Sequence, residues 1–405
     1  MKPIDVEAQL HVLMQGTEYG DAQLAAKMRA ELRERLLLGR PLRVYCGYDP
    51  TATDLHLGHT ITMRKLRQFQ ELGHEVTFLI GSYTALVGDP SDKNRARPVL
   101  TEEQVNENAR SYSEQAFHVL DREKTVVRAN GEWLSKLSLV ELIRLAQNFT
   151  VQQFLVRDNF AKRMQNGDPI FLHETFYALM QGYDACAMET DVQVGGTDQL
   201  FNIIVAGRKL QEALGQRPQV GIITGILPGT DGVQRMSKST GNHIPVATTS
   251  EDMYGKLMSV PDTALGVYMR LVTRWSPTAV QAIEERLASG ALHPRDAKMQ
   301  LAHEITTVFY GAEGAAQGQA HFERVFQRRE LPDDMPVLAV VAGTKLVDFV
   351  VAEGLVPTKS EARRLIKQGG IKLGGAAVAD TEMVLQLGEA TVIQVGKRKF
   401  ARLMP

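Results

Sequence analysis

The chain has 405 residues, 44% hydrophobic and 23% charged, a composition typical of folded globular proteins with room for two or three domains. Its formal net charge is only −1, so no overall basic field marks a nucleic-acid partner, and any RNA-binding surface must be local. The two cysteines, Cys46 and Cys186, are too few for a disulfide framework or a zinc pattern. Neither a secretory leader nor a membrane-spanning window is evident, so we expect a cytoplasmic protein.

The first half of the chain alternates strand-like and helix-like runs. Residues 5–38 have apolar side chains at helical spacing and predict a helical arm. A strand-like run at 42–48 leads into a helix-like run at 59–72 and a second strand-like run at 75–80, a β-α-β unit that implies a parallel sheet. The alternation continues with strand-like runs at 124–128, 191–194 and 220–226 and a helix-like run at 198–214. We therefore predict an α/β fold with a Rossmann-like, doubly wound parallel sheet.

The second half of the chain has a different pattern of predicted secondary structure. Beyond about residue 247 the pattern is purely helical, until a proline-containing stretch at 331–336 reads as a linker. A separate module of mixed helix and strand follows. The predicted organisation is a helical arm at 1–40, a Rossmann-like catalytic domain at 41–228, a loop and all-α domain at 229–330, a linker at 331–342 and a small α+β domain at 343–405.

Charge is segregated toward the C-terminal module. Residues 343–405 contain ten Lys/Arg and six Asp/Glu, a net of +4, which leaves −5 for residues 1–342. A capping box at Thr358–Glu361 opens a short helix with basic residues on one side. A solvated surface helix is the ordinary interpretation of such a run. The alternative is an RNA-binding surface, completed by a second basic run at 397–399.

Two histidines follow the first strand in the sequence His56-Leu57-Gly58-His59. A bare pair at this spacing is more often a metal site or two surface histidines. Here no third ligand of the Cys or His type is nearby, and the strand–Gly–helix setting offers free N–H groups and a positive dipole end to a phosphate. The carboxyl ends of parallel strands are also where ligands bind in such folds. We therefore predict a nucleotide site.

A basic pentapeptide, Arg235 to Ser239, lies between Gly232 and Gly241 with few apolar neighbours. An exposed basic turn is the common outcome for such a segment. Paired with the histidine motif, it predicts a mobile loop in which Lys238 contacts a triphosphate.

A further candidate is a helix at 171–188 that carries Tyr177, Gln181 and Asp184 on one stripe between apolar positions. Such a stripe can be a solvated face or the wall of a polar pocket, and we favour the pocket. Shortly afterwards Gly195-Gly196-Thr197-Asp198-Gln199 combines a strand end with a glycine pair, a second place where backbone can approach a nucleotide.

Together these motifs resemble those of a known family. His56–His59 and Arg235–Ser239 resemble the HIGH and KMSKS motifs of class I aminoacyl-tRNA synthetases, with Leu for Ile and Arg for Lys. The resemblance narrows to the bacterial tyrosyl-tRNA synthetases, which end in an S4 RNA-binding domain, and it covers nearly the whole chain. It is carried by Tyr45–Thr51, Gly88–Ser91, Tyr177-x-x-x-Gln181-x-x-Asp184 and Gly195–Gln199. Asp92 stands where the family often has Gly.

The resemblance implies tyrosine activation with ATP, followed by transfer of the tyrosyl group to the 3′ end of tRNA-Tyr. It implies Mg²⁺ carried by ATP, with no metal cage in the protein. The implied catalytic residues are Thr51, His56, His59, Lys93, Arg97, Arg235 and Lys238. Those implied to bind tyrosine are Tyr45, Asp89, Tyr177, Gln181, Asp184 and Gln199. Those implied to bind ATP are Gly47, Asp49, His59, Gly196, Asp198 and Lys238. Those implied to bind tRNA are Lys359, Arg363, Arg364, Lys367, Lys397, Arg398 and Lys399.

The family also implies a homodimer formed through the Rossmann-like domain. The apolar segment Val151–Val156 is a candidate contact, although a buried core helix would have the same pattern. Three other functions remain as alternatives: a tryptophanyl-tRNA synthetase of the same architecture, a small nucleotidyltransferase with an H-x-G-H motif, and an S4-type RNA chaperone with an inactive synthetase body. Tyr45 with Asp184, and the completeness of the motifs, favour the tyrosine enzyme.

Overall fold

A computed structural model describes residues 5–50, 54–91, 101–327, 335–396 and 399–405. The chain divides into two compact units, Met1–Gln319 and Ala320–Pro405. The domain boundaries expected inside the first unit stay predictions. Within the described residues, no helix is both long and apolar enough to cross a membrane.

The core of the first unit is a five-stranded sheet in the order β3-β2-β1-β4-β5, with every pair of neighbours parallel. Its strands are rich in Val and Ile, and β5 is buried along its whole length, as expected for a sheet covered on both faces. The strand order reverses beside β1, which confirms the predicted doubly wound fold. The strands are β1 Arg43–Tyr48, β2 Glu75–Ile80, β3 Thr125–Ala129, β4 Val192–Gly196 and β5 Val220–Thr224.

Helices surround this sheet and form the rest of the unit. They are α1 Val6–Met14, α2 Ala22–Leu36, α3 Leu57–Glu71, α4 Thr84–Val87, α5 Glu102–Ala116, α6 Gly131–Leu134, α7 Leu139–Ala146, α8 Val151–Leu155, α9 Asp158–Asn166, α10 Leu172–Ala187, α11 Arg208–Ala213, α12 Ser250–Met258, α13 Leu265–Val272, α14 Pro277–Ala288 and α15 Pro294–Phe322, the last interrupted at Gly311. Short 3₁₀ segments lie at Arg122–Lys124, Thr197–Gln199 and Asp262–Ala264, and a π-helical turn at Phe201–Gly207. The end of α15 and a second π-helical turn, Glu323–Gln327, belong to the second unit.

Two predicted helices are interrupted, each for a physical reason. The arm expected at 5–38 is two helices, because Gly16 and Gly20 adopt left-handed φ values of 72° and 69° between them. The run expected as one helix at 198–214 begins as a 3₁₀ turn and widens into a π-helix before α11. There the Gln219 side-chain amide donates to the Ile203 carbonyl at 3.4 Å, and such insertion into the ladder distorts a helix.

The end of α2 is tied to the sheet by the buried carboxylate of Asp191. It accepts hydrogen bonds from the Arg35 and Arg40 guanidinium groups at 2.7–2.8 Å and from the Arg43 backbone N–H at 2.9 Å. Burial raises the pKa of Asp191, but these cationic and N–H donors outweigh it and hold the pKa below its usual range. Since Arg43 opens β1 and Asp191 precedes β4, this network fixes the entry of the two central strands.

The second unit has its own mixed sheet in the order β6-β10-β9-β7-β8, parallel only between β6 and β10. Two helices pack with it around a separate apolar core that includes Leu346, Val350, Ile366, Ile393 and Leu403. Its elements are β6 Val337–Ala339, α16 Leu346–Ala352, α17 Lys359–Lys367, β7 Ile371–Leu373, β8 Ala376–Ala377, β9 Thr391–Val395 and β10 Lys399–Met404.

Candidate active site

A cavity of about 450 Å³ opens at the carboxyl ends of β1 and β4, where the strand order reverses. This is the edge of the sheet where open α/β folds bind ligands. Thr51, Lys93 and Arg97 lie outside the described residues. The fourteen other residues expected to bind tyrosine or ATP or to take part in catalysis all line this cavity: Tyr45, Gly47, Asp49, His56, His59, Asp89, Tyr177, Gln181, Asp184, Gly196, Asp198, Gln199, Arg235 and Lys238.

The two motif histidines cap the N-terminus of α3. The Nδ1 atom of His56 accepts from the Gly58 backbone N–H at 3.1 Å, and that of His59 accepts from the His56 backbone N–H at 3.2 Å. Each imidazole therefore carries its proton on Nε2. Burial, reinforced by His59, His243 and then the loop cations, lowers the pKa of His56 to about 2. Burial, reinforced by Lys238 and Arg235, lowers the pKa of His59 to about 4. Both rings are neutral hydrogen-bond donors at neutral pH, suited to phosphate oxygens.

The closed end of the cavity contains Tyr45 and Asp184, which are 0% and 3% exposed. The Asp184 carboxylate accepts from the Trp133 indole N–H at 2.8 Å and from the Asn130 amide at 3.2 Å. Burial nevertheless raises the pKa of Asp184 to about 8. Sequence reasoning missed Asn130 and Trp133. The signal was available, because Asn130 directly follows β3 and so lies at the same edge of the parallel sheet.

A second polar cluster surrounds Asp89. Its carboxylate accepts from the Gln199 amide and from the Ser91 backbone N–H, both at 2.8 Å. The amide of Asn202, which sequence reasoning also missed, donates to Gln199 at 3.0 Å and to Gln181 at 2.9 Å. These side chains lie in one hydrogen-bonded set, oriented before any ligand arrives.

A chain of hydrogen bonds joins the closed end of the cavity to Asp49. The Asn130 amide donates to Thr84 Oγ1 at 3.0 Å, and that hydroxyl donates to Asp49 Oδ1 at 2.8 Å. The Tyr177 hydroxyl donates to the other oxygen of Asp49 at 3.0 Å. Tyr177 and Asp184 are buried, so the polar stripe of α10 is a pocket wall and not a solvated face.

The basic loop at the mouth of the cavity faces two carboxylates. An Arg235 guanidinium nitrogen lies 3.7 Å from Asp198, and Lys238 Nζ lies 3.8 Å from Asp54. Lys238 and Asp54 are well exposed, so their pairing contributes little stability. Lys238 can therefore exchange this weak contact for one with a stronger anion such as a triphosphate.

In the second unit, the basic side chains of α17 have acidic neighbours. Lys359 pairs with Asp348 at 2.8 Å, Arg363 with Glu382 at 3.9 Å, and Arg364 approaches Glu361 at 3.3 Å. Lys367 is exposed on the same helix, whereas Lys397 and Arg398 lie outside the described residues. The Lys399 ammonium donates to the carbonyls of Gly354 and Leu355 at the end of α16, so it also has a structural contact.

The hydrogen bond from Trp133 to Asp184 can be tested by measuring stability as a function of pH. The chain has only one other tryptophan, Trp275, which serves as the control position. Because the pKa of Asp184 is raised, the stability that its neutral form contributes is complete below about pH 4 and is lost as pH rises through about 8. Trp133→Phe removes a donor that favours the carboxylate and raises this pKa further. We expect its destabilisation to grow by about 1.5–3 kcal/mol between neutral and alkaline pH.

Urea unfolding at several pH values, with Trp275→Phe as the matched variant, measures this difference. Trp275 has no contact with Asp184 among the hydrogen bonds of the described residues, so its variant should show a pH-independent effect. A pH-independent effect of Trp133→Phe would show that the indole does not change the pKa of Asp184.

Comparisons with known proteins identify the family of the chain. The family model for class I (W and Y) tRNA synthetases matches residues 38–327, and that for the SYY-like C-terminal domain of tyrosine–tRNA ligases matches residues 327–403. The tyrosine–tRNA ligase of Moorella thermoacetica is 48% identical, covering 98% of this chain and 96% of that protein. That of Thermotoga maritima is 47% identical, covering 92% and 93%.

Solved structures share the fold at lower identity. The tyrosyl-tRNA synthetase of Archaeoglobus fulgidus complexed with L-tyrosine has a TM-score of 0.60 at 23% identity, covering 78% of this chain and all of that one. A truncated mitochondrial tyrosyl-tRNA synthetase of Aspergillus nidulans has a TM-score of 0.63 at 23% identity, covering 79% and 94%. With a family model over most of its length and near-full-length relatives at almost half identity, the chain belongs to the tyrosine–tRNA ligase family of class I tRNA synthetases.

Proposed function

We propose that the chain is a tyrosine–tRNA ligase that forms tyrosyl-adenylate from L-tyrosine and ATP and then transfers the tyrosyl group to the 3′ end of tRNA-Tyr. The observation that carries the proposal is the buried pair Tyr45 and Asp184 at the closed end of a cavity whose mouth has phosphate-binding groups. A phenol hydroxyl reaching this end meets a hydroxyl and a carboxyl group. A phenylalanine ring would bring no hydroxyl to these two groups and would lose the hydrogen bonds that they offer to a phenol.

The rest of the tyrosine fits the polar groups between the two ends. Its ammonium group would lie beside Asp89, with Tyr177 and Gln181 on the facing wall of α10. Gln199, which already contacts Asp89, would face the carboxylate side. This places the carboxylate toward Asp49 and the histidine motif, where the nucleotide is expected.

Adenylation requires charge stabilisation more than acid–base chemistry. The tyrosine carboxylate attacks the α-phosphorus, a P–O bond forms, and the bond to the departing pyrophosphate breaks. The neutral His56 and His59 imidazoles donate from Nε2, and Arg235 and Lys238 supply positive charge. No protein nucleophile is needed, so positioning and preorganised donors account for catalysis.

ATP would place its ribose against Asp198 and Gly196 and its phosphates near Gly47, Asp49 and the N-terminus of α3. Mg²⁺ enters as its complex with ATP, the triphosphate oxygens supplying the ligands that this ion prefers. Both cysteines are buried free thiols, which supports a reducing, cytoplasmic setting for the reaction.

The phenol-binding assignment is tested by Asp184→Asn. This change keeps the volume but puts an NH₂ group where one carboxyl oxygen accepts from Trp133 or Asn130, so one of these buried donors loses its acceptor. We expect kcat/KM for tyrosine in ATP–pyrophosphate exchange to fall by about 1–3 kcal/mol, roughly 5- to 150-fold. The preference for tyrosine over phenylalanine should narrow in parallel. The matched control is Asp168→Asn, since Asp168 is exposed and does not line the cavity.

Two outcomes would overturn this reading. Unchanged tyrosine-dependent exchange in Asp184→Asn would show that Asp184 does not bind the phenol hydroxyl of tyrosine. ATP–pyrophosphate exchange that depends on tryptophan instead of tyrosine in the unmodified chain would show that the enzyme is a tryptophanyl-tRNA synthetase.

We infer that the second unit binds tRNA, because four basic side chains of α17 are exposed to solvent: Lys359, Arg363, Arg364 and Lys367. The unit has its own apolar core and can present this surface independently of the cavity. Phosphate contacts supply much of the affinity and all of its salt dependence. The acidic neighbours of α17 would have to be displaced from these cations on binding, and this displacement offsets part of the affinity.

A chain ending after Gln327, where the C-terminal family model begins, tests this role. We expect it to retain pyrophosphate exchange and to lose tRNA charging, because the cavity residues all precede that point. The full-length variant Arg363→Ala/Lys367→Ala should weaken tRNA binding and flatten its salt dependence while leaving exchange intact. Equal loss of exchange and charging in the truncated chain, or normal charging by it, would contradict the assignment.

We further propose a homodimer. Within the stretch from α7 to the start of α10, seven large apolar side chains are more than half exposed: Leu139, Val140, Ile143, Val151, Val156, Met164 and Leu172. Exposed apolar residues concentrated in this way mark interaction surfaces. A second copy is the occupant we propose, because a two-fold contact lets one such surface cover its equivalent. Phe154 is buried between the exposed Val151 and Val156, so α8 has both a core face and a free face.

A charge placed on this surface tests the dimer. Val156→Asp should convert a species of twice the chain mass into a single chain in light scattering, because an unpaired carboxylate cannot be buried cheaply. Val233→Asp is the matched control, since Val233 is also an exposed valine but lies outside this stretch. Dimers that persist in Val156→Asp, or that dissociate in both variants, would place the contact elsewhere.

A further inference from the structure

The basic loop that carries Arg235 and Lys238 is organised around one buried amide, that of Asn242, which is 6% exposed. Its Oδ1 accepts from the Ser237 backbone N–H and from the Thr240 hydroxyl, both at 2.8 Å. Its Nδ2 donates to Asp231 Oδ2 at 2.7 Å and to the Arg235 carbonyl at 3.2 Å. One side chain thus contacts both arms of the loop.

Asp231 completes this arrangement from the other side. Its Oδ1 accepts from the backbone N–H groups of Val233 and Gln234 at 2.8 and 2.9 Å, which fixes the turn before Arg235. The backbone adds a further tie, since the Thr230 N–H donates to the Asn242 carbonyl at 2.8 Å. The Asp231–Asn242 pair therefore joins the two arms of the loop through the backbone as well as the side chains.

The ends of the loop are attached to fixed parts of the unit. The Met236 N–H donates to the Leu227 carbonyl at 3.0 Å, and the buried Tyr268 hydroxyl donates to the Pro228 carbonyl at 2.7 Å. After Asn242, the Leu57 N–H donates to the Ile244 carbonyl at 3.0 Å. The loop is thereby paired with the segment that positions the His56–His59 motif.

Gly229 shows how closely the amide is enclosed. A Cβ atom at this position would lie 2.2–2.6 Å from the side chain and the backbone carbonyl of Asn242. No such contact is tolerated without a shift of the amide or of the chain. The cradle around Asn242 therefore depends on glycine at residue 229.

We propose that Asn242, acting with Asp231, is a positioning residue that sets where Arg235 and Lys238 stand against the triphosphate during adenylation. The inference rests on the proposed function. Both cations lie on the stretch of loop between the two residues, and Asn242 itself does not line the cavity. Its effect on the reaction is therefore exerted through the loop backbone.

The test uses the full-length chain with five variants: Asn242→Ala, Asp231→Asn, Asn242→Asp, the exchanged pair Asp231→Asn/Asn242→Asp, and Gly229→Ala. The single change Asn242→Asp places two carboxylates together, whereas the exchanged pair restores one donor and one acceptor between them. Val233→Ala, an 87% exposed loop position, is the matched control. Gly229→Ala perturbs the amide without altering either partner.

We expect Asn242→Ala to lower the rate constant of adenylate formation by about 10- to 100-fold, since displacement of reacting groups by about 1 Å has effects of this size. The equilibrium affinity for tyrosine and the transfer of tyrosyl from preformed adenylate to tRNA should stay unchanged, because the pyrophosphate has left before transfer. Asn242→Asp should be at least as slow, Gly229→Ala should be slow, and the exchanged pair should recover part of the rate.

Three results would overturn the inference: adenylation at the unmodified rate in Asn242→Ala, no recovery in the exchanged pair, or a parallel loss of tyrosine affinity, transfer and melting temperature. The last of these would mean that Asn242 only maintains the fold. Failure of the proposed function has a different signature, since the unmodified chain itself would then show no tyrosine-dependent exchange.

Discussion

The parallel arrangement of β1 and β4 at the reversal of strand order is the constraint on which the site depends. Because the two strands run side by side in the same direction, the segments that follow them emerge at the same edge. The His56–His59 motif follows β1, and the Gly195–Gln199 segment spans the end of β4. The Asp191 network at the opposite ends of these strands holds them together through three residues that donate to one buried carboxylate.

The cavity that results is polar, yet its buried groups are paired. Asp184, Asn130, Thr84, Asp49 and Tyr177 form a continuous hydrogen-bonded chain through the wall. In a low-dielectric site an unpaired polar group is costly, so such a chain also fixes the orientation of each member. The closed end of the cavity and Asp49 are therefore connected through hydrogen bonds.

Charge is distributed differently at the two ends. Burial favours the neutral forms of Asp184, His56 and His59, so these groups act by donating or accepting hydrogen bonds. Cationic side chains are supplied by the exposed loop, through Arg235 and Lys238, which face the carboxylates of Asp198 and Asp54. The loop cations can stabilise charge in the reaction only if the loop backbone holds them in a fixed position. In our inference the Asn242 amide provides this positioning.

The sequence alone determined the fold class, the two signature motifs and the stripe on α10, because hydrophobic period, glycine position and residue spacing are local properties of the chain. It could not decide whether Tyr177 and Asp184 face water or a pocket, since that depends on what packs against α10. Sequence reasoning missed Asn130 and Trp133, although Asn130 directly follows β3, and it could not find Asn242, whose partners lie across a loop. It also predicted one helix where Gly16 and Gly20 break the arm. The tertiary structure decided these points because burial and hydrogen-bond pairing are set by contacts between residues distant in sequence.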